Sequence, residues 1–479
     1  MRNAKAQDRY VLKGGSYDLR PYFTYHGFRY AEITVEKGNV DIEKCEGLAI
    51  YTDAELCGKF ETSSPLINQI MQNSLWGMKG NVMYVPTDCP QRDERLGWLG
   101  DVGVIAKSLI YSFDCEKILS NYLSLIDEAI REDGAIPCIA PNAYGFLDNA
   151  IGASGWADAF FVILSDYYDF YHDKALVEKY LPVAQKFIDW VEKNSTNYRR
   201  NTYCFSDWLS VNADLKEGYG DVDFTVFDIC FYGLDCLLMQ KFCDVVGTDN
   251  GEYRKKHQRA KEYFLTNLRK GNTIVGEGKQ TALMLAVNAG FLSLEDIKNQ
   301  LVEDVEKNGM TSGFIGIKYL LPTLSDIGRA DIAYKLIQND KFPSWGYSVV
   351  NGATTIWERW DGYIQGKGVN SHGMNSFNHF AFGSCVEWFY GYVLGIRLTG
   401  ENKVLVSPCI DKSNKVTFAQ GYYNSKYGKI EVKWETSLKN GAMECVVCVK
   451  SPINIVVDYK FSGWNIKKRE IIMEQRNFI

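Results

Sequence analysis

The sequence predicts a multidomain, mainly α chain: a large helical domain with β-rich segments on either side. Three observations carry this. From Ser64 to about residue 396, apolar residues recur at helical spacing in about a dozen stretches, whereas before residue 58 and after residue 397 the pattern changes to strand-like alternation. The third observation is size. A chain of 479 residues with 46% hydrophobic and 23% charged residues is globular and long enough for two or three domains around a substantial core.

Residues 1–58 read as sheet, through RPYFTYHGFRYAEITVEKG and LAIYTDAELCGKFETS, with glycine and charged turns between them. Ser64 followed by Pro65 is a helix start, an N-cap with proline at the first helical position. Helical stretches then follow at roughly 66–77, 102–113, 115–132, 156–172, 174–194, 223–246, 251–269, 278–291, 293–308, 314–325, 328–339 and 376–396. Short turns such as Asp133-Gly134 and Thr248–Gly251 make neighbours antiparallel hairpins. Three long loops rich in glycine and aromatics interrupt them, at 133–158, 200–222 and 340–375, and loops of that kind are where function concentrates. From 397 to 479, KVLVSPCI, KVTFAQGYYNSKYGKIEVKWETS, AMECVVCVK and NIVVDYKF predict a small antiparallel β-sandwich.

Bulk properties exclude several classes of function. A net charge of -6 gives no electrostatic reason for a nucleic-acid or anionic membrane partner. No uncharged apolar run reaches the roughly 18–20 residues of a membrane span, and MRNAKAQDRYVLKGG has no hydrophobic signal core. Thirteen cysteines is an odd number without framework spacing, which predicts reduced thiols and a cytoplasmic protein. Cys445 and Cys448 form a lone CxxC inside a strand-like run and are read as strand residues. No HExxH, P-loop or G-x-S-x-G element appears, so no metal and no cofactor is predicted. With 11 Trp and 30 Tyr the chain is rich in flat rings of the kind that stack on sugar C–H faces, although most such rings are ordinary core.

Charge is densest in YVPTDCPQRDERLGWLGD, residues 84–101. Four carboxylates (Asp88, Asp93, Glu94, Asp101) alternate there with Arg92 and Arg95 and lie beside Trp98. Crowded carboxylates must be paired or protonated, which is how a fold separates two acids into different roles, and the two arginines are expected to partner some of them. Interleaved arginines would repel a calcium ion, so the stretch reads as a polar pocket. A solvated ion-pair loop is the plain alternative. Pro86, Pro90 and Trp98, rigid or apolar among the charges, argue against it.

The run DCPQRDERLGW followed by Gly100-Asp101 resembles the signature of the bacterial α-L-rhamnosidases of glycoside hydrolase family 78. The resemblance implies that the helices form an (α/α)6 toroid of six hairpins over 59–396, preceded by the closing strands of a β-sandwich, with more β structure usual upstream. It implies an inverting hydrolase that releases terminal α-L-rhamnose, with Glu94 as general acid. Asp88, Arg92, Trp98 and Asp101 would line the sugar pocket. From spacing alone Glu358, between Trp357 and Trp360 in TTIWERWDG, reads equally as a structural partner of Arg359; GATTIWERWDG resembles the family's general-base segment, which favours function. Trp156, Asp207, Trp208, Trp360 and His379 match further substrate positions, although a lone Trp or helical His is more often core. Ser206 stands where relatives commonly have glycine, and Leu99 where threonine is frequent. His26, His172 and His257 have surface or β-domain contexts without a partner pattern, and His372 sits in a glycine-rich loop. Two rivals remain: a related toroid enzyme for another α-linked sugar, and a silent rhamnoside-binding protein. Strands of 1–58 without partners would need cover, either from a second subunit in a homo-oligomer or from the toroid itself.

Overall fold

The computed structural model describes residues 5–142, 150–213, 220–276, 278–371, 373–439, 442–460 and 466–474; His372 and parts of the first two long loops lie outside them. The helices are α1 (Pro65–Asn81), α2 (Leu99–Ser112), α3 (Glu116–Ala129), α4 (Ala159–Tyr171), α5 (Lys174–Lys193), α6 (Phe224–Val246), α7 (Gly251–Tyr263), α8 (Lys279–Asn288), α9 (Leu294–Asn308), α10 (Phe314–Asp326), α11 (Ala330–Ile337), α12 (Trp345–Val350) and α13 (Cys385–Trp388). The predicted start is where the structure has it, since Ser64 accepts from Ile67 N–H and Pro65 opens α1.

Two kinds of helix are present, and their composition decides where they sit. In α2 thirteen of fourteen residues are buried, and α4, α6, α8 and α10 are apolar nearly all round, so they need neighbours on every side. Helices α3, α5, α7 and α9 bury only a stripe, such as Leu119, Tyr122, Leu123 and Ile126 of α3. Accordingly α2 packs on α4, α4 on α6, α6 on α8, α8 on α10, and α10 on α2 and α13, with α13 returning to α2. This is a closed inner ring of six. The stripe-bearing helices lie outside it, α5 and α7 against α6 and α9 against α8, so the domain is the six-hairpin toroid.

The carboxy-terminal residues form two sheets. A five-stranded one has the order Gly58–Thr62, Phe418–Ser425, Gly428–Lys439, Ala442–Pro452 and Ile466–Glu474, antiparallel except for the last pair. A three-stranded one joins Ile396–Gly400 and Lys403–Val406 antiparallel to each other, with Val456–Tyr459 added in parallel.

Two expectations are corrected. Among the described residues of the amino-terminal segment, 5–55 carry no strand and are mostly exposed, and the strand at Gly58–Thr62 belongs to the carboxy-terminal sheet, so the boundary after residue 58 falls inside a shared strand. Alternation creates a strand only where another backbone completes the ladder, and only 58–62 finds one here. The helix expected over 376–396 is broken into a 3₁₀ turn Ala381–Ser384, the short α13 and a π turn Phe389–Val393. The long loop 340–375 also holds α12, capped by Ser344 Oγ accepting from Tyr347 N–H at 2.9 Å.

Candidate active site

The signature stretch runs from the end of α1 to the first turn of α2 and folds around Arg92. Its guanidinium donates to Glu358 Oε2 at 2.6 Å and to Asp88 Oδ2 at 2.9 Å, and lies 3.1 Å from Glu94 Oε2. One buried cation therefore ties together three carboxylates from both ends of the domain. Burial works against its charge, but Glu358, Glu94 and Asp88 outweigh that and raise its pKa. Each acid is fixed a second time. Asp88 Oδ1 accepts from Leu96 N–H, Glu94 Oε1 from the Trp98 indole N–H at 3.2 Å, and Glu358 Oε2 from Ser376 N–H at 2.7 Å. The two contacts on Arg92, with the roughly 2.3 Å between guanidinium nitrogens, put the Glu94 and Glu358 oxygens no more than about 8 Å apart.

The structural alternative for Glu358, a pair with Arg359, does not form. Arg359 instead holds Asp361 through two contacts of 2.8 and 3.1 Å. Nor does Arg95 partner a carboxylate among the described residues; its Nη1 donates to the carbonyl of Tyr25 at 3.0 Å. Asp88, Cys89 and Glu94 are close enough to hold a metal ion, yet the Arg92 guanidinium already contacts all three, donating its Nε–H to Cys89 Sγ at 3.1 Å. Burial further holds the Cys89 thiol protonated by raising its pKa. The donor set fits a cation that the protein itself supplies.

Beside this cluster Asp101, in the first turn of α2, lies 3.1 Å from His379 Nε2, both buried. Ala381 N–H points at Nδ1 from 3.3 Å, so the neutral ring keeps its proton on the Asp101 side. Burial disfavours the imidazolium, but Asp101, with Glu358 and Asp88 nearby, outweighs it and raises the His379 pKa. Burial also raises that of Asp101, against the opposing pull of His379.

The aromatic wall is built on a residue that sequence reasoning missed. Phe205 packs edge-on against Trp98 (6.0 Å between centroids) and Trp208 (5.9 Å), and lies 4.5 Å from Trp156. Trp156 lies so close over Gly100 that a Cβ there would meet the indole at 2.8 Å, which explains the glycine after Trp98-Leu99. Trp98 and Trp208 keep part of their surface open.

Two expected residues turn away. Trp360 stacks on Phe382 at 4.0 Å and donates its indole N–H to Ser312 O. Asp207 is fully buried and accepts from Thr281 Oγ1, Gly313 N–H and Gly316 N–H, so it satisfies donors at the start of α10, whose own N-cap, Gly313, has no side chain to do so. Burial raises its pKa to about 6. Before it, Ser206 has φ of 54°, the left-handed region that favours glycine, and its hydroxyl donates to Val222 O at 2.8 Å. Leu99, the other departure, is fully buried at the start of α2. Ser376, which orients Glu358, was also missed. Its only sequence signal is its place three residues before His379.

A six-hairpin toroid carrying a buried and a partly buried glutamate around one arginine, beside an aromatic wall, is the framework of the α/α-toroid glycosidase class. Residues 55–393 match the family described as the bacterial alpha-L-rhamnosidase 6 hairpin glycosidase domain, and residues 1–51 match its concanavalin-like domain. The chain belongs to the bacterial α-L-rhamnosidase family. It is 32% identical to an α-L-rhamnosidase of Streptomyces avermitilis over 455 residues, 93% of this chain and 43% of the relative. The crystal structure of a Streptomyces avermitilis α-L-rhamnosidase complexed with L-rhamnose superposes with a TM-score of 0.78 at 30% identity, over 85% of this chain and 39% of that one. The native enzyme from Aspergillus terreus gives 0.79 at 27% identity, over 86% and 49%. The chain spans about half the length of the curated relatives it matches.

Proposed function

We propose that the chain hydrolyses terminal α-L-rhamnosides with inversion, Glu94 serving as acid and Glu358 as base. The observation that carries this is the Arg92 fork, which holds both glutamates no more than about 8 Å apart, a limit that admits the lower part of the roughly 6.5–9.5 Å an inverting pair needs for its water. Both donors to Glu358 converge on Oε2, so Oε1 is the oxygen aimed to take a proton from that water. Glu94 is the more exposed of the two, at 10% of its side chain against 1%, which supports its reading as the acid that meets the leaving group. Its proton passes to the glycosidic oxygen as the C–O bond breaks and the water oxygen bonds to the anomeric carbon from the other face.

Asp88, Asp101 and His379 offer partners for sugar hydroxyls, and the Trp98–Phe205–Trp208 wall offers an apolar face for the 6-methyl. This reading assigns Trp156 to the support of that wall, and Asp207 and Trp360 to the scaffold behind it. It takes a neutral rhamnoside as substrate and a reducing, cytoplasmic setting for the free thiols. Self-association through the exposed Val11, Phe23 and Tyr30 is part of the same proposal, and light scattering reads it.

The test is turnover of a chromogenic α-L-rhamnoside and a rhamnosyl disaccharide beside other glycosides, followed by proton NMR. β-L-rhamnose should form first, and Glu94→Gln should slow disaccharide hydrolysis about 10²- to 10⁴-fold while leaving the fold intact. Binding of rhamnose without turnover would replace this reading with that of a silent binding protein, and α-rhamnose as first product would remove Glu358 as base.

A further inference from the structure

We propose that Tyr25, His26 and Gly27 form a strap that positions the two glutamates, a role that rests on the hydrolase reading above. Most of the amino-terminal segment is exposed, but these three consecutive residues are half-buried, against the loop that carries Glu94. Arg95, adjacent to Glu94, holds φ of 43°, a conformation a side chain rarely adopts without an external grip. Tyr25 supplies the grip: its carbonyl accepts from Arg95 Nη1 at 3.0 Å, and its ring lies 5.2 Å from the guanidinium carbon.

Two residues further on, Gly27 passes so close to Gln91 that a Cβ would meet Gln91 Cβ at 2.7 Å and its backbone at 3.0 Å. Gln91 in turn donates from Nε2 to Ser376 Oγ at 2.6 Å, and Ser376 N–H holds Glu358 Oε2. The strap thus bears on Glu94 through Arg95 and on Glu358 through Gln91 and Ser376. Arg29 Nη2 reaches Gly352 O at 3.4 Å and ties its far end to the segment leading to Glu358. Arg95, Gln91 and Gly27 touch no reacting atom in this arrangement and are positioning residues. Displacing either carboxylate by a fraction of an ångström weakens the chemical step more than binding.

The experiment compares Gly27→Val, Arg95→Ala and Arg95→Lys in the full chain with Gly47→Ala, a position of the same segment where a Cβ meets nothing within 4 Å. With an aryl α-L-rhamnoside, Gly27→Val and Arg95→Ala should lower kcat about tenfold or more with KM changed less than about threefold, and should displace the acid limb of the pH profile, at unchanged Tm. Arg95→Lys should recover part of the loss, and Gly47→Ala should match wild type. Wild-type kcat and pH profile in both Gly27→Val and Arg95→Ala would overturn the strap, as would losses of kcat that simply follow losses of Tm. Absence of turnover in the wild-type chain itself would instead overturn the hydrolase reading.

Discussion

Arg92 has three anionic partners at distances of 2.6 to 3.1 Å and almost no access to water. Removing it leaves the buried carboxylates repelling one another, and breaking a buried pair in this way costs roughly 3–5 kcal/mol. Arg92→Met should therefore lower stability by about that amount in denaturant unfolding and abolish turnover. Arg92→Lys should not restore turnover, because a single ammonium cannot reproduce a planar fork between two glutamates. His379 gives a pH-dependent prediction. Its folded pKa is raised above its unfolded value, so its contribution is fully present below about pH 6.5 and is lost as pH rises through the folded pKa. The Tm gap between wild type and His379→Leu, followed by thermal unfolding across pH 5–9, should be widest at the acid end.

At the scale of elements, the start of α10 is held by a carboxylate 106 residues away in sequence from Gly313. Asp207→Ala strips three acceptor contacts from buried donors and should cost about 1–3 kcal/mol while leaving Arg92 and both glutamates in place. The Asp207 pKa of about 6 lies above the unfolded value near 3.9, so the folded chain binds the extra proton between them, and this group's contribution declines as pH rises from about 4 to 6. Asp207→Asn should flatten that decline in a pH series of unfolding midpoints. Here the sequence was only partly legible. The outer helices announce themselves by one apolar stripe, and Ser64-Pro65 marks a helix start by local chemistry alone. Asp207 could be seen as a polar residue beside a tryptophan, but its partners Thr281, Gly313 and Gly316 lie on elements that only the closed ring brings together. The same applies to the pocket. Asp88, Arg92, Glu94, Trp98 and Asp101 are legible because they are contiguous. Phe205 and Ser376 act through packing across the ring and leave no pattern, and the break near residue 381 follows from a 3₁₀ and a π turn that apolar periodicity does not distinguish from an α-helix.

In the whole molecule, the strand Gly58–Thr62 joins the two ends of the chain. It pairs antiparallel with Phe418–Ser425, and Phe60 stacks on Phe389 of the last turn of the toroid at 4.8 Å, while Trp434 donates its indole N–H to Val393 O. Removing the strand would bare the edge of a sheet and the face of Phe389 together. Residues before about 50 make few ties of this kind, the contacts of Tyr25 to Gly27 and Arg29 with the active-site loops being the main ones. Stability and rate should therefore separate along the segment. A variant lacking residues 1–49 should keep its Tm within about 2 °C of wild type, whereas one lacking 1–62 should lose about 5 °C or more, because only the second cut removes ladder hydrogen bonds and buried aromatic area. The shorter truncation should nonetheless have a reduced kcat, since it takes away the grip on Arg95. Thermal unfolding and steady-state kinetics on the two truncations decide this, and an equal fall in Tm for both would show that the exposed segment is part of the folded core's support.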